Sequence, residues 1–583
     1  MRILIFLGLF PILLSAQNNP VGPARFDNNW LNGYDDQFTD TMFGGSTMTF
    51  DTYPPKVVRE HRKMDFYITN SSFSDQHGKL LTYSNGNYIA NAVNDTMING
   101  DSINPDYGIY QDVLYQGALF LPQPGNDSII YLFHEQLTST PTTVNTATVF
   151  LAHYTIINTF AENGLGKVLE KNIPLIHDTL CFGKLTATKH ANGRDWWIIV
   201  PKYNKPTYFI YLLTPQGVDT FPPQTIGNPT FSNEGQATFS PDGTHYVRLN
   251  NLGYEYGAWM DICDFDRCTG KLSNYQGFYK IVGGSAGVSI SPNSHFLYFS
   301  RGITVHQYDL WASDVEASEI LVATYDGFAN PLPTNFWMSQ LALDGKIYVG
   351  SNSSVKNYHV IQHPDRLGLA CDFEQHAIDL PTIASRSIPT FPYYRLGPLD
   401  GSSCDTLGIN NLPIADFRID RTPDTLSIEF VDLSYYRPTD WHWDFGDGTQ
   451  SMEENPAHHY LAAGTYLVCL IASNEYAADT ICKTLQVGNV VSATEPTGEN
   501  YQMIAIPNPA NDYLTIAYSA PMEKAVMTVQ LISPLGAIVR TVALMGLQGT
   551  QQLELSALPA GLYYLRFVAN GQPISLQKTA IIH

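Results

Sequence analysis

An all-β chain, a ring of roughly seven small antiparallel sheets followed by two compact β-sandwiches, is the architecture this sequence predicts, and three observations carry the prediction. A hairpin signal recurs at a steady interval through the first two thirds of the chain. Farther on, the stretch "WHWDFGDGTQ" (residues 441–450) places large aromatics on alternate positions and runs them into a glycine-rich turn. Residues 503–583 then alternate apolar and polar positions between prolines and glycines. Strands put alternate side chains on opposite faces, so each pattern reads as a sheet with at least one buried face.

The recurring hairpins read "QHGKLLTYS", "GNDSIIYLF", "ANGRDWWIIV", "PDGTHYVRL", "PNSHFLYFS" and "LDGKIYVGS". Aligned on their turns, His77, Asn126, Asn192, Asp242, Asn293 and Asp344 fall in register, with offsets of 49, 66, 50, 51 and 51 residues. Asx-Gly steps supply the positive φ that two-residue hairpin turns demand. A second strand pair follows each hairpin, as in "PTYFIYLLT" and "AWMDICDFD", so one unit carries about four strands in about 50 residues, the size of a propeller blade. Six units are visible. A seventh is predicted from "STMTFD" near Thr49 pairing with the segment around Ile388 to Tyr394, which would join the two ends of the ring. The long second offset predicts an insertion, with residues 138–148 as a protruding loop. A run of unrelated hairpins in a sandwich is the alternative; equal offsets weigh against it.

Length and composition bound the rest. A chain of 583 residues exceeds one core, and about 100 to 200 residues per domain implies three or four domains. "MRILIFLGLFPILLSAQ" sets Arg2 before an apolar run and ends on small residues, the order of a secretory signal over residues 1–16. The run is shorter than the roughly 20 residues that cross a bilayer, and nothing comparable follows, so no transmembrane helix is expected in the mature chain. A formal charge of −22 disfavours nucleic acid and anionic membranes. Seven cysteines in an exported chain permit disulfides and leave one thiol over. The pairs expected are Cys469–Cys482, Cys263–Cys268 and Cys371–Cys404, with Cys181 free; no CxxC pair or histidine cluster suggests zinc.

Several segments resemble known families. The turns "FSPDG" and "ISPNS" resemble WD40-like propeller repeats. "SDQHGKLLTYSNGNYIANAVNDTMING", "DFDRCTGKLS" and "HPDRLGLACDF" are similar to a propeller region of exported proteins in bacteria with type IX secretion; this resemblance spans about residues 28–400 and implies no catalytic residues. Residues 412–488 resemble the PKD domain, an immunoglobulin-like sandwich. Its W-x-F-G-D-G-x hallmark is matched by residues 443–449, and its continuation by His458, Tyr460, Gly464, Tyr466, Val468 and Leu470. Trp441, Trp443 and Phe445 should share one face, with His442 and Asp444 outward, and Asp444 and Asp447 should form turns and not act as acid and base. After a polar linker at 489–502, "PNPANDYLTI", "SPLGAIV" and "LSALPAGLYYLRF" resemble the type A C-terminal sorting domain of the type IX secretion system, over residues 503–583.

Catalytic signals are weak. "GGSAG" (residues 283–287) satisfies G-x-S-x-G, but a strand and not a helix is expected after Ser285. "HEQLT" at His134 lacks the second histidine of a zinc protease helix. His61, His190 and Asp195 fall near blade turns. No catalytic, cofactor-binding or metal-binding residue is assigned, and no cofactor is expected. Seven Asp-Ser/Thr-apolar tripeptides, at Thr41, Thr96, Ser102, Ser128, Thr179, Thr406 and Thr425, resemble an O-glycosylation acceptor pattern of the same bacteria, though turn-to-strand entry explains them equally. The sequence therefore predicts a secreted or cell-surface binding or adhesion protein, exported through the periplasm by Sec and then by the type IX machinery, with the propeller contacting an extracellular glycan or protein ligand and the PKD domain as spacer. The alternative is a secreted hydrolase of polysaccharide or peptide with its active site on the propeller axis.

Overall fold

The computed structural model describes residues 24–581 except 38–39, 105–111, 140–146, 230–233, 252–256, 282–285, 423, 489–501, 507–509, 520–526, 534–537, 545, 547, 560 and 570–571. The expected signal segment lies outside the described residues. The chain divides into two units, Met1–Asn411 and Leu412–His583.

The first unit holds seven antiparallel sheets in chain order, which we call blades 1 to 7: residues 29–60, 71–91, 118–180, 186–225, 237–280, 286–324 and 336–384. Blades 1 and 2 have three strands and the others four, each strand pairing its sequence neighbour. Successive blades pack through their innermost strands: Ser71–Ser74 against Asn29–Gly33 and Ala118–Pro122, and Ala286–Ile290 against Ala237–Phe239 and Phe336–Leu341. The ring is a seven-bladed propeller.

Strands such as Trp196–Pro201 are apolar throughout because both faces are covered. Trp196, Ile198 and Val200 enter the core shared with blade 3, while Trp197 and Ile199 enter the one shared with blade 5. Phe296–Arg301 does the same, with Leu297 and Phe299 toward blade 5 and Phe296 and Tyr298 toward blade 7. Full burial of one such side chain is worth about 1.5–3 kcal/mol, so a strand packed on two sides contributes roughly twice that of a half-solvated one.

All six aligned turn positions fall in the loop joining the first two strands of blades 2 to 7. These loops are longer than the two-residue turns expected. Five residues separate Ala237–Phe239 from His245–Asn251, with Gly243 at φ +73°. The recurring Asx residue accepts the amide two positions on: Thr244 N donates to Asp242 at 2.9 Å, Arg194 N to Asn192 at 3.0 Å, and Lys346 N to Asp344 at 3.1 Å. The repeat is thus a side-chain-capped turn; in blade 6 Ser294, at φ +62°, stands where blades 2, 4, 5 and 7 have glycine.

Blade 1 supplies the seventh unit, but not as expected. Gly45–Thr49 is the middle strand of its sheet, laddered to Asn29–Gly33 on one side and Lys56–Glu60 on the other, so it has no free edge for residues 388–394. Those residues instead descend beside Asn29–Gly33: Phe391 packs on Trp30 at 6.1 Å between ring centroids, and Thr390 N donates to Asn70 O at 3.0 Å. The last strand of blade 7 also reaches blade 1, where Ile383 N donates to Met42 O at 2.9 Å. The insertion in blade 3 is built by long strands, Ile129–Ser139 and Ala147–Asn158, so residues 138–139 and 147–148 belong to the ladder; the residues between them lie outside the described set.

In the second unit, residues 417–487 form two facing sheets of three and four strands around Phe417, Phe430, Trp443, Tyr460 and Leu470. Residues 502–581 form a second sandwich, again of three and four strands, around Leu514, Ile516, Leu531, Leu565 and Phe567.

Two disulfides are present. Cys469 and Cys482 pair as expected, directly opposite each other in the ladder of Gly464–Ser473 and Ala478–Val487. The other two expected pairs are replaced by Cys268–Cys404. Cys263 points into the core between blades 4 and 5, Cys371 is buried between blades 6 and 7, and both stay free with Cys181. Strand alternation, not sequence distance, decides which sulfurs can meet.

Candidate functional site: the axial chamber

The first strands of the blades start near the axis, and two glutamines at these starts lace them together. Gln116, ahead of blade 3, accepts from Ala237 N at 2.7 Å and donates to Ala237 O at 2.8 Å, so its amide acts as a strand edge for blade 5. Gln236, ahead of blade 5, donates to Ser339 O at 2.6 Å and accepts from Val288 N at 3.1 Å, joining blades 5, 6 and 7. Ser339 Oγ and Ser289 Oγ bond at 2.9 Å. The amide side chain supplies both donor and acceptor, which these diverging strands cannot offer one another through a ladder.

Around this lacing lies a small open cavity of about 30 Å³, lined by Asp27, Gln116, Gln236, Thr238, Phe239, Ser289, Ser339, Gln340, Phe391, Tyr393 and Arg395 among others. Residues from blades 5, 6 and 7, with Gln116 from ahead of blade 3, share one lining, which places the chamber on the ring axis. Its charged groups are one carboxylate and one guanidinium, paired with each other. Arg395 donates to Asp27 through Nη1 at 2.6 Å and Nη2 at 2.9 Å, both side chains 2–3% exposed. The remaining polar groups are amides and hydroxyls. Hydrolysis by two carboxyl groups needs a second one about 5–9.5 Å away, and the lining offers none.

Other buried charges lie between blades. Arg248 and Asp261, both fully buried, pair at 2.6 Å, and Asp261 also accepts from Trp259 and Tyr275 at 2.8 Å. Burial pushes the Glu135 carboxyl well up and the Lys184 ammonium down, with Gly183 N donating to Glu135 at 3.0 Å. Among the described residues, no group of three His, Cys, Asp or Glu side chains is arranged to hold a metal ion.

In the stretch that ends in "GDG", Trp443 and Phe445 are buried and Trp441 packs against the same core. Trp443 Nε1 donates to Glu453 O at 2.8 Å. Asp444 accepts from Gly446 N at 2.9 Å; Asp447 accepts from Thr449 N at 3.0 Å and bonds His458 Nε2 at 2.8 Å. His458 in turn stacks on Phe445 at 4.1 Å. Both carboxylates shape the turn, and Asp447 also holds His458.

The model of the PKD domain matches residues 410–488. The PKD1 domain of Vibrio anguillarum Epp is 33% identical over 13% of this chain and 95% of its own, with a TM-score of 0.13. Residues 410–488 belong to the PKD-domain family. The model of the secretion system C-terminal sorting domain matches residues 505–583, so the protein carries the address of type IX export to the cell surface or the extracellular space. Other solved structures similar to this chain include one from Lactobacillus plantarum, 12% identical over 62% of this chain and 98% of its own, TM-score 0.35. The Dos1 propeller is 9% identical over 63% and 87%, TM-score 0.31. No curated protein matches the chain. No helix among the described residues is long and apolar enough to cross a membrane.

The remaining residues singled out by sequence do not converge. His134 sits inside blade 3, bonded to Asn104 at 2.7 Å and Thr155 at 2.9 Å. His61 is on blade 1, with Asp36 at 3.4 Å. His190 and Asp195 close one turn of blade 4, where Asp195 is held by Arg194 at 2.7 Å and by Asn192. A strand, Ala286–Ile290, follows Ser285, as expected; Ser285 lies outside the described residues. Gln116, Gln236, Asp27 and Arg395 escaped sequence reasoning. The only available signal was the repeated polar residue just ahead of a blade, and the partners lie up to 368 residues away.

Proposed function

We infer that the propeller is a ligand-binding passenger, displayed outside the cell beside a PKD spacer, and that the axial chamber or the blade faces around it make the contact. The observation that carries this reading is the neutral lining of the chamber: amides, hydroxyls and aromatic rings, with its one carboxylate already satisfied by Arg395. Such a surface suits an uncharged hydroxylated ligand, of which glycans are the extracellular class, better than an ion. The test incubates the purified full chain with a glycan and peptide array and records retention and product together. Retention without turnover supports the reading. Product release would favour a polysaccharide or peptide hydrolase on the axis instead.

The tripeptide pattern fits the same extracellular setting. Thr41, Thr96, Ser102, Thr406 and Thr425 are exposed, and Met97 and Ile103 behind two of them are buried, so at those two sites the residue after the hydroxyl anchors the loop. Intact-mass measurement of native secreted protein should show added hexose; an unmodified mass removes this part of the proposal.

A further inference from the structure

The segment that leaves blade 7 closes the ring and then keeps going. After residues 385–391 have run beside blade 1, residues 392–399 cross beneath the axis. Tyr394 donates from its hydroxyl to Phe120 O of blade 3 at 2.7 Å and packs edge-on against Trp196 of blade 4 at 5.7 Å. Arg267 of blade 5 donates to Gly397 O at 2.5 Å, and Leu399 N donates to Ala191 O of blade 4 at 2.8 Å. The crossing therefore floors the chamber on the side of the capped turns, and Phe391, Tyr393 and Arg395 belong to both strap and chamber wall.

Beyond Leu399 the strap becomes half-buried or exposed, and its covalent hold is Cys268–Cys404, seated on the turn between the last two strands of blade 5. Both sulfurs belong to half-buried residues, whereas Cys181, Cys263 and Cys371 are buried in the blade cores. A reductant can thus reach this bond, and the buried thiols are badly placed to exchange with it. The blades do not depend on it for their own packing, since no residue of 396–405 belongs to an interblade core, and the strap enters those cores only through Ile388, Phe391 and Tyr394. The upper strap keeps the Asp27–Arg395 pair and the Tyr394 contact.

We propose that Cys268–Cys404 is a redox-sensitive latch on the lower strap, the segment that continues from the chamber floor. A dithiol supplies two electrons and two protons, leaves as its own cyclic disulfide, and converts the bond to two thiols. Residues 396–405 then detach from blades 4 and 5, while the chamber wall at Phe391, Tyr393 and Arg395 and the seven blades stay in place. The latch holds whatever the chamber binds, because it rests on the path of the strap alone.

Hydrogen exchange read by mass spectrometry on the full chain tests this, comparing the oxidised protein with Cys268→Ser/Cys404→Ser and with Cys469→Ser/Cys482→Ser. Peptides covering 396–405 should exchange at least 10-fold faster in the first variant. Peptides from Trp196–Pro201 and Phe296–Arg301 should keep their protection, and the second variant should match the oxidised protein throughout the propeller. Unchanged exchange in the strap overturns the proposal, since non-covalent contacts would then suffice. Loss of protection across the blades overturns it too, since the bond would then hold the whole ring. If the variant fails to accumulate, folded oxidised protein treated with dithiothreitol is read on the same peptides with the same two refuting outcomes.

Discussion

Breaking the Asp27–Arg395 pair is the sharpest test of how the ring is closed. The two residues are 368 positions apart, their side chains are 2–3% exposed, and they meet through two charge-assisted hydrogen bonds of 2.6 and 2.9 Å. With charge centres about 4 Å apart and an effective dielectric near 20, their attraction is on the order of 4 kcal/mol. Removing one partner leaves the other charge buried without its counter-ion, at a cost of about 3–5 kcal/mol. Asp27→Asn and Arg395→Met should each lower the stability of the propeller by roughly that amount. The double variant should lose much less than the sum, because no charge is stranded, giving a coupling of about 2 kcal/mol or more. Urea unfolding followed by tryptophan fluorescence reads all four proteins, with Trp30 and Trp196 in the core beside the strap as reporters. Costs below about 1 kcal/mol for the single variants, or strict additivity in the double, would show that the closure does not run through this pair.

Three further outcomes are expected. Burial holds the His134 imidazole down to about 3 and that of His359 to about 4, against an ordinary value of 6.5. The unfolded chain binds these protons first, so stability is complete above about pH 7 and falls below 6.5, by about 2 kcal/mol per histidine at pH 5; denaturant midpoints between pH 7 and 5 check this. In the PKD domain, Trp443→Ala removes a fully buried ring and strands Glu453 O, and should cost about 3–5 kcal/mol in the unfolding of that domain, followed by the exchange of its peptides. Asp447→Ala should cost about 1–2 kcal/mol by freeing the Thr449 amide and His458, and should leave array binding unchanged; loss of binding would show that the turn does more than reverse the chain.

Much of the fold could be read locally. The capped turn at Asp242 and its counterparts repeat because a short carboxylate or amide satisfies the amide two residues on, an interaction contained within a few positions of the chain. The alternation of Trp441, Trp443 and Phe445 is local in the same sense, as is the Cys469–Cys482 bridge, whose partners face each other in one hairpin. Cys263 shows the limit of such reasoning: five residues from Cys268, it lies within a strand and points into the core, while Cys268 sits at the turn and is carried to a sulfur 136 residues away.

From sequence alone came the period of the ring, the alternation that makes each strand two-faced, and the two C-terminal families, because all of these depend on residues a few positions apart. Tertiary structure decided the lacing by Gln116 and Gln236, the Asp27–Arg395 pair, the path of the strap and the bond that secures it. Each of these joins groups from separate blades, and their meeting depends on how the sheets close around an axis, a geometry that no short stretch of chain encodes.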